Sequence, residues 1–157
     1  MMPTLKPEVL APDGGLAVDL GPLERIVFKA VGSKTAGAFD LLEVTVRPGG
    51  GPPEHLHRRN DEAFYVIEGA IRVKLGADVF TAGSGSFIFV PRGTPHAFAN
   101  TSAEPARALV VITPGGRQGY FQALARLLCE PVDEAKLARL DAQYGDETTG
   151  PALTSHV

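Results

Sequence analysis

A chain of 157 residues fits one domain and can hide roughly two thirds of its unfolded surface. Hydrophobic residues make up 44% and charged residues 21%, ordinary globular proportions that exclude a disordered or coiled-coil chain. Lys plus Arg number 15 against 18 Asp plus Glu, a net charge of −3, so a basic stripe for phosphate backbones is missing and nucleic acid is disfavoured as a partner.

The opening "MMPTLKPEVLAPDGG" has no apolar stretch behind a basic one, and no later window approaches about eighteen apolar residues. Export and membrane insertion are not expected. Cys129 is the single cysteine, which rules out an internal disulfide and fits a reducing cytoplasm. Its neighbours "RLLCE" place the thiol on a helix.

Gly and Pro, 18 and 13 in number, recur so often up to Gly116 that they divide the chain into short runs suited to strands. In chain order the predicted strands are 24–31, 39–47, 53–57, 62–69, 71–75, 78–81, 86–90, 95–100 and 107–113. That is too many for one flat sheet and matches a sandwich or barrel. In "LEVTVR", Leu42, Val44 and Val46 face one way and Glu43, Thr45 and Arg47 the other, as on a sheet with one wet face.

After "TPGGRQG" the period changes. "YFQALARLLCE" and "DEAKLARLDAQYG" space apolar residues three and four apart and predict two helices, with Asp133 as N-cap and Gly145 as C-terminal stop of the second. These helices are expected to cover the sheets and do no chemistry. The chain is read as one domain: barrel about 20–115, helical segment about 118–145 and flexible polar tail 146–157, with His156 solvated. No internal repeat is present.

Three of the four histidines lie in the strand region. Side chains two apart on a strand share a face, so His55 and His57 point the same way with Cα atoms about 7 Å apart. "RRND" reads as a turn that brings Glu62, at the start of the next strand, back beside them. His96 in "PRGTPHAFAN" is the obvious fourth donor.

Gly49, five residues, His55, one residue, His57, four residues, Glu62, six residues and Gly69 form one motif. Gly85, five residues, Pro91, one residue, Gly93, two residues, His96, three residues and Asn100 form a second, fifteen residues after the first. This pattern resembles the cupin family, with no position departing from either motif. "ARALVVITPGG" followed by "YF" is similar to small single-domain cupins of the quercetin dioxygenase-like kind. The resemblance implies an all-β jelly-roll barrel (double-stranded β-helix), with His55, His57, Glu62 and His96 turned into its lumen as metal ligands. The residues themselves agree: Gly69 and Gly93 suit turns with positive φ, and Pro91 suits a strand end.

Three imidazoles and one carboxylate suit Fe, Mn, Ni, Co, Cu or Zn. Four ligands on a six-coordinate ion leave two positions, and a net charge of about +1 favours an anionic oxygen ligand such as an enolate. By alternation Phe64 and Val66 follow Glu62 inward, and Phe98 and Asn100 follow His96, which makes them the expected substrate-pocket residues. Glu54, Asp61 and Glu68 are expected to be solvated, Arg58 and Arg59 to be turn residues, "GSGS" (83–86) a turn, and "GGRQG" a plain sheet-to-helix connection.

The leading functional expectation is a metal-dependent oxygenase, dioxygenase-like, acting on a small enolic or aromatic compound, with Glu62 also accepting the substrate proton. An isomerase or lyase that uses the same ion as a Lewis acid, and a cupin that only binds a small ligand, are the alternatives. A gene regulator is disfavoured, because the stretch before the first motif reads as strands. A homodimer is expected, with an exposed N-terminal strand adding to the partner's sheet.

Overall fold

The structure is a computed structural model that describes residues 4–129 and 131–153; His156 lies outside the described residues. Among the described residues, eleven strands and two helices follow in the order β1 (Leu16–Leu20), β2 (Glu24–Ala30), β3 (Asp40–Val46), β4 (Pro53–His57), β5 (Asp61–Glu68), β6 (Ala70–Leu75), β7 (Asp78–Gly83), β8 (Phe87–Val90), β9 (His96–Ala99), β10 (Ala106–Thr113), α1 (Gln118–Leu128), α2 (Glu134–Tyr144) and β11 (Asp146–Ala152). One sheet runs β1-β2-β3-β10-β5-β8 and the other β11-β4-β9-β6-β7, with every pairing antiparallel. This is the jelly-roll barrel with two C-terminal helices.

Two strands escape the sequence reading. β1 is short and partly exposed, and its pairing with β2, Leu16 opposite Phe28 to Leu20 opposite Glu24, holds it in place. β11, "DETTGPA", corrects the flexible tail expected from residue 146. Its polar side chains suit the outer edge of a sheet, where it pairs with β4, Asp146 opposite His57 and Thr148 opposite His55. The register slips between Thr148 and Ala152, around Gly150 and Pro151, and a proline that cannot donate to a ladder is tolerated at such an edge.

Alternation decides what fills the barrel. Asp40, Leu42, Val44 and Val46 of β3 and Ala106, Ala108, Val110 and Ile112 of β10 turn inward and are buried, while their neighbours are half-buried. Phe64 and Phe98 meet edge to face across the lumen with centroids 5.6 Å apart. Two cavities beside this pair have about 10 Å³ each, room for about one water molecule.

Of the expected pocket residues, Phe64 and Phe98 line both cavities, whereas Val66 and Asn100 line neither. Val66 is fully buried in the core. Asn100 is also fully buried, but its amide donates to Val46 O (2.8 Å) and Glu104 O (2.7 Å) and its oxygen accepts from Ser102 N (2.9 Å) and Ser102 Oγ (2.7 Å). The chain turns there, just past β9, and the amide ties the end of β3 to the loop at Ser102 and Glu104. Asn100 is a loop staple.

Glycines set the tight passages. Gly69 and Gly93 have φ of 74° and 81°, the positive values that their turns demand. At Gly51, in the loop before β4, a Cβ would stand 2.1 Å from Phe98 O, so only glycine lets this segment approach β9.

α1 lays Phe121 against Phe28, ring centroids 6.0 Å apart. α2 is capped by Asp133, which accepts from Ala135 N (3.0 Å) and Lys136 N (3.1 Å), and ends at Gly145 in the left-handed conformation. The buried Asp40 carboxylate accepts from Gly32 N (2.6 Å), Gly116 N (2.9 Å) and Arg117 N (2.7 Å), which ties the start of β3 to the connection between β10 and α1. Among the described residues no helix is long and apolar enough to cross a membrane.

Candidate metal centre

β4 supplies two side chains in one direction, His55 and His57. Its neighbour β9 places His96 directly opposite His55 in the register. From the facing sheet, β5 sends Glu62 inward beside Phe64 and Val66. The imidazole centroids are 4.9 Å (His55 to His57), 4.4 Å (His55 to His96) and 5.3 Å (His57 to His96) apart. One ligand atom from each of the four residues lies within 4.8 Å of all the others. His57, Glu62 and His96 are buried and His55 is half-buried, so the cluster is most open on the His55 side.

The hydrogen bonds fix which nitrogen faces the centre. His55 Nδ1 lies 2.8 Å from Pro53 O and His96 Nδ1 2.9 Å from Thr94 O. A carbonyl can only accept, so both Nδ1 atoms carry the hydrogen and both Nε2 atoms are left for another partner. His57 Nδ1 donates instead to Asp146 Oδ1 at 2.8 Å. Glu62 Oε2 sits between His96 Nε2 (3.1 Å) and His57 Nε2 (3.2 Å).

Electrostatics follow from this geometry. Burial, with help from the other two imidazoles, lowers His55 to about 4. Burial also opposes charge on His57, but the hydrogen bonds with Asp146 and Glu62 outweigh it and raise the group to about 9. Glu62 is buried yet held well below the usual carboxylate range by His57 and His96. The donor set of three imidazole nitrogens and one ionised carboxylate, convergent and supported on their outer sides, fits a divalent transition ion.

Sequence reading missed two residues behind the cluster. Asp146, within the segment expected to be a loose tail, accepts from His57 and from Arg117 Nη1 at 2.9 Å; Arg117 Nη2 donates to its second oxygen. Arg117, in the "GGRQG" connection, is 2% exposed and lies over the Tyr120 ring, 4.2 Å from its centroid, with Tyr144 at 5.6 Å. The sequence itself offers only an arginine between glycines and a helix, in "GGRQG", which does not announce a buried partner.

Of the carboxylates expected to be solvated, Glu68 is exposed and Asp61 partly so, each paired with an arginine, whereas Glu54 is mostly covered. Glu54 meets Lys74 at 2.6 Å and Thr149 Oγ1 at 3.0 Å with its side chain only 12% exposed. Asp61 pairs with Arg92 and Glu68 with Arg107 on the surface. Arg58 reaches Glu147 and Arg59 the Gln143 carbonyl, so these turn residues clamp β11 and the end of α2. None of these groups points at the cluster of four.

Residues 42–112, which carry all four clustered side chains, match the cupin domain model. The matched stretch is a cupin domain. The chain is 29% identical over 94 residues to the polyketide synthase CurC of Streptomyces cyaneus, which is 60% of each chain. It is 28% identical to quercetin 2,3-dioxygenase of Bacillus subtilis over 44% of its own length and 20% of that protein's. Among solved structures it is similar to the polyketide cyclase RemF of Streptomyces resistomycificus, with a TM-score of 0.60, 26% identity, and 68% and 79% of the two chains covered. The chain spans less than two thirds of the length of both curated relatives.

Proposed function

We propose that this cupin is a metal-dependent enzyme acting on a small enolisable carbonyl group, with His55, His57, Glu62 and His96 holding the ion. The observation that carries the reading is the convergence of three imidazoles and one ionised carboxylate within 4.8 Å. A divalent ion held by these four residues would supply Lewis acidity toward a substrate carbonyl oxygen. Glu62, the single carboxylate of the set, is the group placed to take the proton from carbon. Phe64 and Phe98 fill the barrel beneath and keep water from that side.

The two cavities beside Phe64 and Phe98, about 10 Å³ each, are too small for an organic substrate. In this reading the substrate presents one carbonyl at the half-buried His55 side while its remainder stays outside the lumen. A long poly-β-carbonyl chain fits that constraint, and two of the similar proteins are a polyketide synthase protein and a polyketide cyclase. Anaerobic turnover is the test. Metal-loaded protein should exchange the α-hydrogens of a β-diketone for deuterium without O₂, and Glu62→Gln should lose most of that exchange; exchange no faster than in buffer overturns the reading.

Oxygenase chemistry, the first expectation from the sequence, is the second reading. Likeness to a quercetin dioxygenase over less than half the chain favours it. Dioxygen consumption coupled to loss of an enolic or flavonol substrate would establish it in place of the Lewis-acid reading.

The homodimer also stays a proposal, with a different surface from the N-terminal strand. Tyr65, Phe87 and Phe89 are 49%, 67% and 54% exposed on the outer face of β5 and β8, and Tyr65 and Phe87 are register partners. Together they expose on the order of 350 Å², nearly half of the roughly 800 Å² per partner of a standard interface. Half-buried Leu109 and Val111 on β10 extend the same face. Light scattering should give twice the chain mass, falling to one chain in Phe87→Lys; a monomeric wild type overturns it.

A further inference from the structure

The three histidines of the cluster are held from behind in two different ways. His55 and His96 each hydrogen-bond through Nδ1 to the carbonyl two residues earlier, Pro53 O and Thr94 O. Those partners belong to the matched domain itself. His57 has its partner 89 residues away, on Asp146 of β11, beyond residues 42–112.

Asp146 is not free to wander. Arg117 grips both of its oxygens, Nη1 to Oδ1 at 2.9 Å and Nη2 to Oδ2. Arg117 is in turn fixed by its backbone N–H on Asp40 (2.7 Å) and by the Tyr120 ring against its guanidinium. Tyr120 belongs to α1 and hydrogen-bonds Asp141 of α2 at 3.0 Å. Backbone pairing of Asp146 with His57 across β11 and β4 closes the loop. Every element added after the matched domain thus converges on one imidazole.

We propose that Asp146, held by Arg117, is a positioning residue for the metal centre, so that the C-terminal helices and β11 set the orientation and tautomer of His57. This rests on the ligand assignment made above. A carboxylate that accepts the Nδ1 hydrogen leaves the Nε2 lone pair directed at the ion and stops the ring rotating about its Cβ–Cγ bond. Carboxylates behind metal-binding histidines commonly contribute about 10- to 100-fold in metal affinity. Arg117 is needed because a lone carboxylate at this depth would otherwise be unpaired. Either orientation of an asparagine amide at 146 sets an N–H against an Arg117 N–H, and one of the two also forces the opposite His57 tautomer.

Cobalt(II) binding to the full-length chain tests this, read as dissociation constant and as the visible ligand-field band. Wild type, His57→Ala, Asp146→Ala and Asp146→Asn are compared, with urea midpoints to establish folding. Expected are one tight site in wild type, its loss in His57→Ala, and tenfold or weaker binding with a shifted band in both Asp146 variants. Arg117→Met should weaken binding in the same direction. If Asp146→Ala does not fold, the nearly isosteric Asp146→Asn decides alone. Affinity within twofold of wild type and an unmoved band in a folded Asp146 variant overturn the positioning role while the metal site stands. Unaltered binding in His57→Ala overturns the ligand assignment and this inference with it.

Discussion

Glu62 and His96 come from opposite sheets and meet at 3.1 Å, Oε2 to Nε2. Any ion that takes both as ligands joins the two sheets of the barrel near one end. Binding that favours only the folded state stabilises it by about 2.7 kcal/mol when the ion stands at 100 times its dissociation constant. Calorimetric melting should therefore show a rise with Co²⁺ that a chelator reverses and that shrinks in Glu62→Gln. A melting temperature indifferent to every divalent transition ion would count against the site.

Metal loading should also release a proton. In protein stripped of metal, His57 keeps its proton up to about pH 9, because Asp146 and Glu62 outweigh the burial that opposes charge. Ligation needs the neutral ring. At pH 7 the heat of Co²⁺ binding should vary with the ionisation heat of the buffer by close to one proton per ion, and affinity should rise with pH up to about 9. In the stripped protein the same raised group adds stability that is full below its ordinary 6.5 and lost as pH climbs through 9. Buffer-independent heats would contradict this.

A separate pH effect belongs to Glu24. Burial lifts its carboxyl from 4.5 to about 7, against a smaller lowering by the Gly51 N–H. Between those values the folded chain holds a proton that the unfolded chain has released, so this contribution falls as pH rises from 4.5 through 7 and is flat above. The change is on the order of 2–3 kcal/mol. Glu24→Gln cannot ionise. It should match wild type near pH 4 and exceed it at pH 8 in urea unfolding; equal midpoints at pH 8 would show that Glu24 carries no such cost.

Asp40 accepts from three backbone N–H groups that have no other role in a ladder. Asp40→Ala should cost on the order of 3 kcal/mol or more in urea unfolding, and Asp40→Asn less, since its amide oxygen keeps part of the set. A loss below 1 kcal/mol would mean that water replaces the carboxylate there.

Much of this was readable in the chain, for local reasons. Alternation in "LEVTVR" gave the inward face of β3, and the helix period, with Asp133 and Gly145, gave α2 and its ends. His55 and His57 share a face because a strand has period two, and their meeting with Glu62 and His96 follows the two motifs. What stayed hidden depends on partners far away. "DETTGPA" has no strand preference of its own and becomes β11 only because β4 offers an open edge. Alternation correctly turned Phe98 inward, but the same count carried on to Asn100 passes the end of β9, where the chain turns and the amide serves the backbone. Nothing near Arg117 in sequence announces Asp146, 29 residues on.

Metal content of the purified, full-length protein is the most direct test, measured by elemental analysis for wild type and for His57→Ala and His96→Ala after loading and desalting. One equivalent of a divalent transition ion in wild type, and its loss in each variant with the far-UV spectrum of the barrel retained, is the expected result. Equal metal in wild type and variants, or none in any of them after loading with Mn, Fe, Co, Ni, Cu and Zn in turn, would contradict it.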